Sequence, residues 1–164
     1  MEISELSWRS EKRASQGVVF ECSATSGSIG HQKGRQHETN PNWWVDPCND
    51  STLWSCYGPY IEMEPGLYEF SWLVEFELGS IMMTEDRNQP VAVMDACINT
   101  GGTVLIERAM SYNTATSLPN PYHGYISLPE YKLSEKVSDI EIRFRARHLA
   151  KKCILKELSI YRLP

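Results

Sequence analysis

Leu67-Tyr68-Glu69-Phe70-Ser71-Trp72-Leu73-Val74-Glu75-Phe76-Glu77-Leu78 is the stretch on which the fold turns. Tyr68, Phe70, Trp72, Val74, Phe76 and Leu78 fall on every second position, with Glu69, Ser71, Glu75 and Glu77 between them. Successive side chains of an extended strand point to opposite faces, so this spacing predicts a long strand with one face on a core and the other toward water. The pattern returns at Ile140, Ile142, Phe144 and Ala146, which alternate with Glu141, Arg143, Arg145 and Arg147. Both runs fit a sheet with one wet face.

Shorter runs bounded by turn residues extend the reading. Gly17 to Ser23 is a candidate strand, and Tyr57 to Met63 is another, ending at Glu64-Pro65-Gly66, a turn that predicts a hairpin into the long strand. Val91 to Ile98 and Thr103 to Arg108 flank Asn99-Thr100-Gly101-Gly102, which predicts a second hairpin. Tyr125 to Leu128 and Cys153 to Leu163 complete the set. The last run changes apolar parity between Leu155 and Leu158, as a bulge requires. About eight strands with turns at short intervals, and no long amphipathic helix, indicate an all-β antiparallel β-sandwich or jelly roll. The first thirteen residues and Ser134 to Val137 are the only plausible helical pieces. No internal repeat or interdomain linker is present, so residues 17–164 read as one β-sandwich domain and residues 1–16 as an N-terminal extension packing on or flanking it.

Composition narrows the function classes. A chain of 164 residues with 41% apolar and 23% charged residues is long enough for one domain with a buried core and too apolar for disorder. Its net charge of -5 argues against a polyphosphate partner, so nucleic acid is not expected. No apolar run approaches the roughly 20 residues that cross a bilayer, and Met1-Glu2-Ile3-Ser4-Glu5 lacks the basic and apolar regions of a signal peptide. The compartment stays open, because a module cut from a longer secreted protein need not carry its parent's signal. Cys48 and Cys56 flank a polar loop and are placed to bridge it, whereas Cys22, Cys97 and Cys153 sit among apolar residues and read as core.

Two stretches interrupt the strand rhythm, Ala24 to Ser55 and Ser111 to Gly124, and long loops in compact domains are commonly functional. A sugar needs a flat ring for its C–H face and polar groups for its hydroxyls. Trp43, Trp44 and Trp54 are the candidate platforms, with Arg35, Asn42, Asp46 and His31 as polar partners; Tyr112, Asn113, Tyr122 and His123 offer a similar mixture. The competing reading is that some of these tryptophans only anchor the loop. Tyr57 and Tyr60, on a strand, are expected to pack. Arg143, Arg145 and Arg147, with Lys151 and Lys152, suit an acidic glycan, but pairing with Glu69, Glu75 and Glu77 across a wet sheet face is the favoured expectation. Catalytic signals are weak. Ser26-Gly27-Ser28-Ile29-Gly30 lacks the first glycine of a nucleophile elbow, His31, His37 and Glu38 match no metal spacing, and Asp46 with Glu38 is a carboxylate pair of unknown separation.

Tyr57-Gly58-Pro59-Tyr60-Ile61, followed by Met63-Glu64-Pro65-Gly66-Leu67-Tyr68-Glu69-Phe70, resembles a pattern of galactose-binding-like and carbohydrate-binding-module-like jelly rolls. Phe20-Glu21-Cys22-Ser23, the spaced Gly27, Gly30 and Gly34, the Gly101-Gly102 turn and the closing strand are similar to further parts of it. The resemblance implies a non-catalytic glycan-binding module, often found beside glycan-handling enzymes, that binds carbohydrate or polysaccharide. A protein-interaction or assembly domain, or a jelly-roll enzyme acting on polysaccharide, are the alternatives. No cofactor is expected beyond a structural calcium, which some such modules hold near their first and last strands. Glu21 and Glu157 are the candidates for that role, though calcium takes roughly six to eight oxygens.

Overall fold

The computed structural model describes residues 6–14, 17–38, 40–48, 52–79, 87–116, 123–147 and 150–164. Among these residues the strands are β1 (Ser7–Arg9), β2 (Val18–Ser23), β3 (Gly30–His31), β4 (Gly34–Gln36), β5 (Trp43–Val45), β6 (Cys56–Met63), β7 (Gly66–Leu78), β8 (Pro90–Ile98), β9 (Thr103–Ser111), β10 (His123–Ser127), β11 (Tyr131–Leu133), β12 (Val137–Ala146) and β13 (Ala150–Leu163). One short helix, α1 (Tyr112–Thr116), follows β9.

The alternating stretch forms β7, which runs antiparallel to β13 from Leu67 opposite Leu163 to Leu78 opposite Ala150. These two long strands are the axis of the first, eight-stranded sheet. β10 and β11 share the free edge of β7, while β2 and β5 share that of β13; β1 extends beyond β10 and β4 beyond β5. The second, five-stranded sheet has the order β3-β6-β12-β8-β9. The chain crosses between sheets from β2 to β3, β3 to β4, β5 to β6, β6 to β7, β7 to β8, β9 to β10, β11 to β12 and β12 to β13. Every pairing is antiparallel, and the result is a β-sandwich of jelly-roll type.

Apolar residues of the two sheets meet in the middle. Phe70, Trp72 and Val74 of β7 and Leu155, Leu158 and Ile160 of β13 are fully buried against Ile140, Ile142 and Phe144 of β12. The Phe76 and Phe144 rings approach to 6.5 Å across the layer. Burying a side chain of this size contributes about 1.5–3 kcal/mol, so the alternating residues supply the main drive for the two sheets to stack. Between Leu155 and Glu157 the register against β7 slips, leaving Lys156 as the bulged residue that restores apolar parity.

Several local expectations are corrected. Pro65-Gly66 makes no hairpin, because β6 and β7 lie in different sheets and the turn carries the chain from one to the other. Ser7–Arg9 is a strand on β10, not helix, and Val137 opens β12. The long Ala24 to Ser55 stretch contains β3, β4 and β5, since Trp43-Trp44-Val45 favours a pleated, half-buried surface. The second stretch contains α1, whose Ser111 hydroxyl caps it by accepting the Thr114 amide at 3.1 Å.

The faces expected to be wet are partly covered. Glu69, Ser71, Glu141 and Arg145 are buried. The expected pairing of Arg143, Arg145 and Arg147 with Glu69, Glu75 and Glu77 does not form, since β12 and β7 belong to opposite sheets. Arg143 instead pairs with Asp95 on neighbouring β8, Glu69 with Arg9 and Arg13, Glu75 with Lys156, and Glu77 with Lys151. All cysteines are free, Cys48 and Cys56 included, and Cys56, Cys97 and Cys153 are buried while Cys22 is only half-buried.

Candidate functional site

The outer face of the second sheet holds a groove of about 250 Å³ lined by Gln32, Thr52, Trp54, Tyr57, Tyr60, Thr100, Glu141 and Arg143. Its shape begins in the backbone of β6. Ile61 lies opposite Ile140 while Pro59 lies opposite Glu141, so Tyr60 is the extra residue of a bulge, with φ of +62°. A tyrosine in the left-handed region is uncommon and costs local conformational energy. The result is that Tyr60 leaves the alternation of its strand and is 41% exposed, the ring most open to solvent in the groove. Tyr57 stands edge-on to it, ring centres 6.5 Å apart and planes at 78°. Gly30 across the strand pair gives the Tyr57 ring its room, since a β-carbon there would overlap that ring.

Trp54 lines the same groove and is buried. The guanidiniums of Arg143 and Arg145 sit 4.4 and 4.5 Å from the centre of its ring. Arg143 is fixed a second time: its Nε and Nη2 donate to the two oxygens of Asp95 at 2.8 and 2.5 Å. Asp95 is fully buried, so the pair brings a planar donor to the groove with little net charge. The Gln32 carboxamide is held by accepting the Trp54 backbone N–H at 3.0 Å. Burial raises the Glu141 carboxyl above the usual carboxylate range, partly offset by Arg143 and by the Tyr60 hydroxyl that donates to it. Burial and then the nearby Glu141 push Tyr60 up to about 12, so its phenol keeps its proton at neutral pH.

The three tryptophans singled out in the sequence do not share a concavity. Trp54 lines the groove, its ring face under arginines. Trp43 packs against the core with His31 stacked on it at 4.0 Å, and its indole N–H donates to the Lys33 carbonyl at 3.2 Å. His31 itself is held through Nε2 by the Ala24 carbonyl at 2.5 Å. Trp44 faces the other way, beside Arg35, His37 and Glu38 in a smaller pocket. The Asn42 carbonyl accepts the His37 amide at 2.9 Å, and the exposed Asp46 closes the same loop with its own amide on the Lys33 carbonyl.

The remaining candidates lie away from both concavities. Tyr112 donates to the Gly79 carbonyl at 2.6 Å, Asn113 is exposed on α1, and His123 meets Lys156 at 3.2 Å, while Tyr122 lies outside the described residues. Glu21 and Glu157 hold the Lys12 ammonium between them at 2.5 and 3.1 Å. Among the described residues no group of three or more His, Cys, Asp or Glu is arranged to hold a metal.

Sequence reasoning passed over Tyr60, Glu141, Gln32 and Thr100 as site residues. The signal for Tyr60 was present, because Gly58-Pro59 inside a strand marks a break in the ladder, and the residue after such a break need not follow the alternation. Glu141 and Arg143 belong to an alternating strand and read as wet-face residues; only the fold shows what covers them.

No protein-family model matches the chain, and no curated protein does. Among solved structures it is similar to the C-terminal CBM6 of LamC, a marine laminarinase from Zobellia galactanivorans, at 11% identity over 87% of this chain and 98% of that one, with a TM-score of 0.48. It is also similar to the carbohydrate-binding module CBM6cm-2 from Cellvibrio mixtus lichenase 5A in complex with cellotriose, at 12% identity over 90% and 99%, TM-score 0.48. A third is the CBM22-1 xylan-binding domain of Paenibacillus barcinonensis Xyn10C, at 11% identity over 99% and 97%, TM-score 0.39. The architecture of this chain stands on the strand pairing above.

Proposed function

We propose that this domain is a non-catalytic binding module whose groove on the second sheet receives a neutral oligosaccharide. The observation that carries the reading is the open ring of Tyr60, turned out by the bulge, beside Tyr57 and above the fixed polar groups of Arg143, Glu141 and Gln32. A pyranose offers a C–H face to such a ring and hydroxyls to such groups. The polar side chains are pinned before a ligand arrives, Arg143 by Asp95 and Trp54, and Gln32 by the Trp54 amide, which lowers the ordering cost of binding. Because Asp95 compensates Arg143, the groove suits hydroxyls better than a charged sugar.

The stacking ring in this reading is a tyrosine. The tryptophans have structural partners of their own: Trp43 carries His31, and Trp54 carries two arginines. Glycan-array screening followed by calorimetry tests the proposal. The wild type is expected to bind one class of neutral oligosaccharide. Removing the ring in Tyr60→Ala should weaken binding about tenfold, since an aromatic contact contributes about 0.5–1.5 kcal/mol beyond its buried area. Binding that Tyr60→Ala and Tyr57→Ala leave unchanged would discard the groove.

A further inference from the structure

We infer that the Trp44 pocket is a second, separate binding site, specific for the sulfate or carboxylate group of an acidic glycan. The pocket occupies about 230 Å³ and is lined by Arg35, His37, Glu38 and Trp44. It lies at the β4–β5 edge of the first sheet. Trp43 packs on the core and Trp44 follows it on the same strand, so Trp44 faces away from the core.

Trp44 collects cations. The Arg35 guanidinium lies 5.5 Å from its ring centre and the Lys152 ammonium 4.5 Å, so the two heads are no further apart than those distances together. His37 stacks on the same indole at 5.4 Å. Contact with an aromatic face positions a cation without neutralising it, and its N–H donors stay available. The neighbouring cations are treated differently. Lys151 has Glu77 at 3.1 Å and Lys156 has Glu75 at 3.2 Å. Among the described residues neither Arg35 nor Lys152 has a carboxylate within ion-pair distance, in a chain whose net charge is -5.

An acidic group fits this arrangement for three reasons. The guanidinium offers paired donors to a planar carboxylate or to a sulfate, and the ammonium on the same indole adds a point charge. The indole edge gives the attached sugar ring an apolar wall. Arg35 lines the pocket beside Glu38 and Lys152 reaches the same indole from β13, a charge set that suits a single anionic group, whereas nucleic acid is gripped through many phosphates by a basic surface.

Nuclear magnetic resonance of the indole N–H signals tests the inference without reference to the groove. The probes are a sulfated galactose oligosaccharide, its desulfated parent, sodium sulfate and a single-stranded DNA oligonucleotide of equal charge. The sulfated sugar is expected to move the Trp44 signal, and Lys152→Ala and Arg35→Ala each to weaken the response about fivefold or more. Lys151→Ala removes the same charge one residue away and should leave it intact, as should Tyr60→Ala. An unmoved Trp44 signal, equal weakening by Lys151→Ala, or DNA binding as tightly as the sulfated sugar would each overturn the site. Loss of neutral-sugar binding in Tyr60→Ala with Trp44 still responsive bears on the groove alone.

Discussion

Replacing Glu69 with glutamine tests how the first strand is held to the sandwich. The Glu69 carboxylate is almost completely buried, yet it receives Arg9, both Nε and Nη2 of Arg13 at 2.9 and 2.5 Å, and the Ser71 hydroxyl at 3.2 Å. Arg9 also lies over the Tyr125 and Tyr161 rings at 5.3 and 5.7 Å. Glutamine keeps the shape but removes the charge and turns an amide N–H₂ toward two cations. A hydrogen bond to a charged group contributes about 1.5–3 kcal/mol. The side chains of Arg9 and Arg13 retain 24% and 42% of their exposure, so both can partly rehydrate. A net loss of about 2–3 kcal/mol follows, equivalent to about 5–10 °C in Tm for a chain of this size. Among the described strands β1 pairs only with β10, so the Ser7–Arg9 amides should lose hydrogen-exchange protection before those of β7 or β13. The effect should depend on pH. Burial opposes ionisation of Glu69, but Arg13 and Arg9 more than offset it and hold its carboxyl below the usual range. The unfolded chain therefore takes up the proton first: this stability is complete above the ordinary carboxylate range and drains as pH falls toward the folded value. Urea unfolding at neutral and acid pH, with exchange mass spectrometry, measures both effects. An E69Q protein with an unaltered midpoint and unaltered β1 protection refutes the reasoning.

Other substitutions probe separate parts of the fold. Gly34 has φ of +136°, and a β-carbon there would run into the Trp44 carbonyl and approach the Trp43 indole nitrogen to 2.5 Å, so Gly34→Ala should cost about 1–3 kcal/mol and change the near-ultraviolet circular dichroism of the indoles. Thiol titration should find all five cysteines in denaturant, but in the native protein Cys56, Cys97 and Cys153 should stay silent, since burial raises each thiol, that of Cys97 to about 12. A deficit in denaturant would reveal a disulfide. Burial, and then Lys156, lower the His123 imidazole below its ordinary value, so the unfolded chain binds this proton at higher pH and stability should rise as pH climbs through the imidazole range. His123→Gln should flatten that rise in urea midpoints, and an unchanged slope would show that His123 does not carry it.

The sandwich was legible because the burial that drives it leaves a periodic mark on the chain. Tyr68 to Leu78 and Ile140 to Ala146 alternate wherever they face the core, and the parity change before Leu158 announced the bulge at Lys156. What alternation does not carry is which strands share a sheet. Pro65-Gly66 suits a hairpin and a crossing between sheets equally, so the partners of Arg143 and Glu69 could not be read from it either. The same limit explains the site. Tryptophan marked the region rich in ring contacts, but whether a ring face is open depends on what else folds onto it. His31 reaches Trp43 from β3, a strand of the other sheet, and Arg143 and Arg145 reach Trp54 from β12, distant in sequence. Tyr60 was expected to pack because of its strand spacing, and a single left-handed residue overrode that spacing.

Chemical-shift mapping with the neutral oligosaccharide that binds best on an array tests the central claim most directly. Sugar recognition in the groove predicts shifts at the Trp54 indole N–H and at the amides around Tyr57, Tyr60, Thr100 and Glu141, with transferred magnetisation between the Tyr60 ring and sugar C–H protons. Shifts confined to other surfaces, or no saturable shift with any neutral sugar, would contradict it.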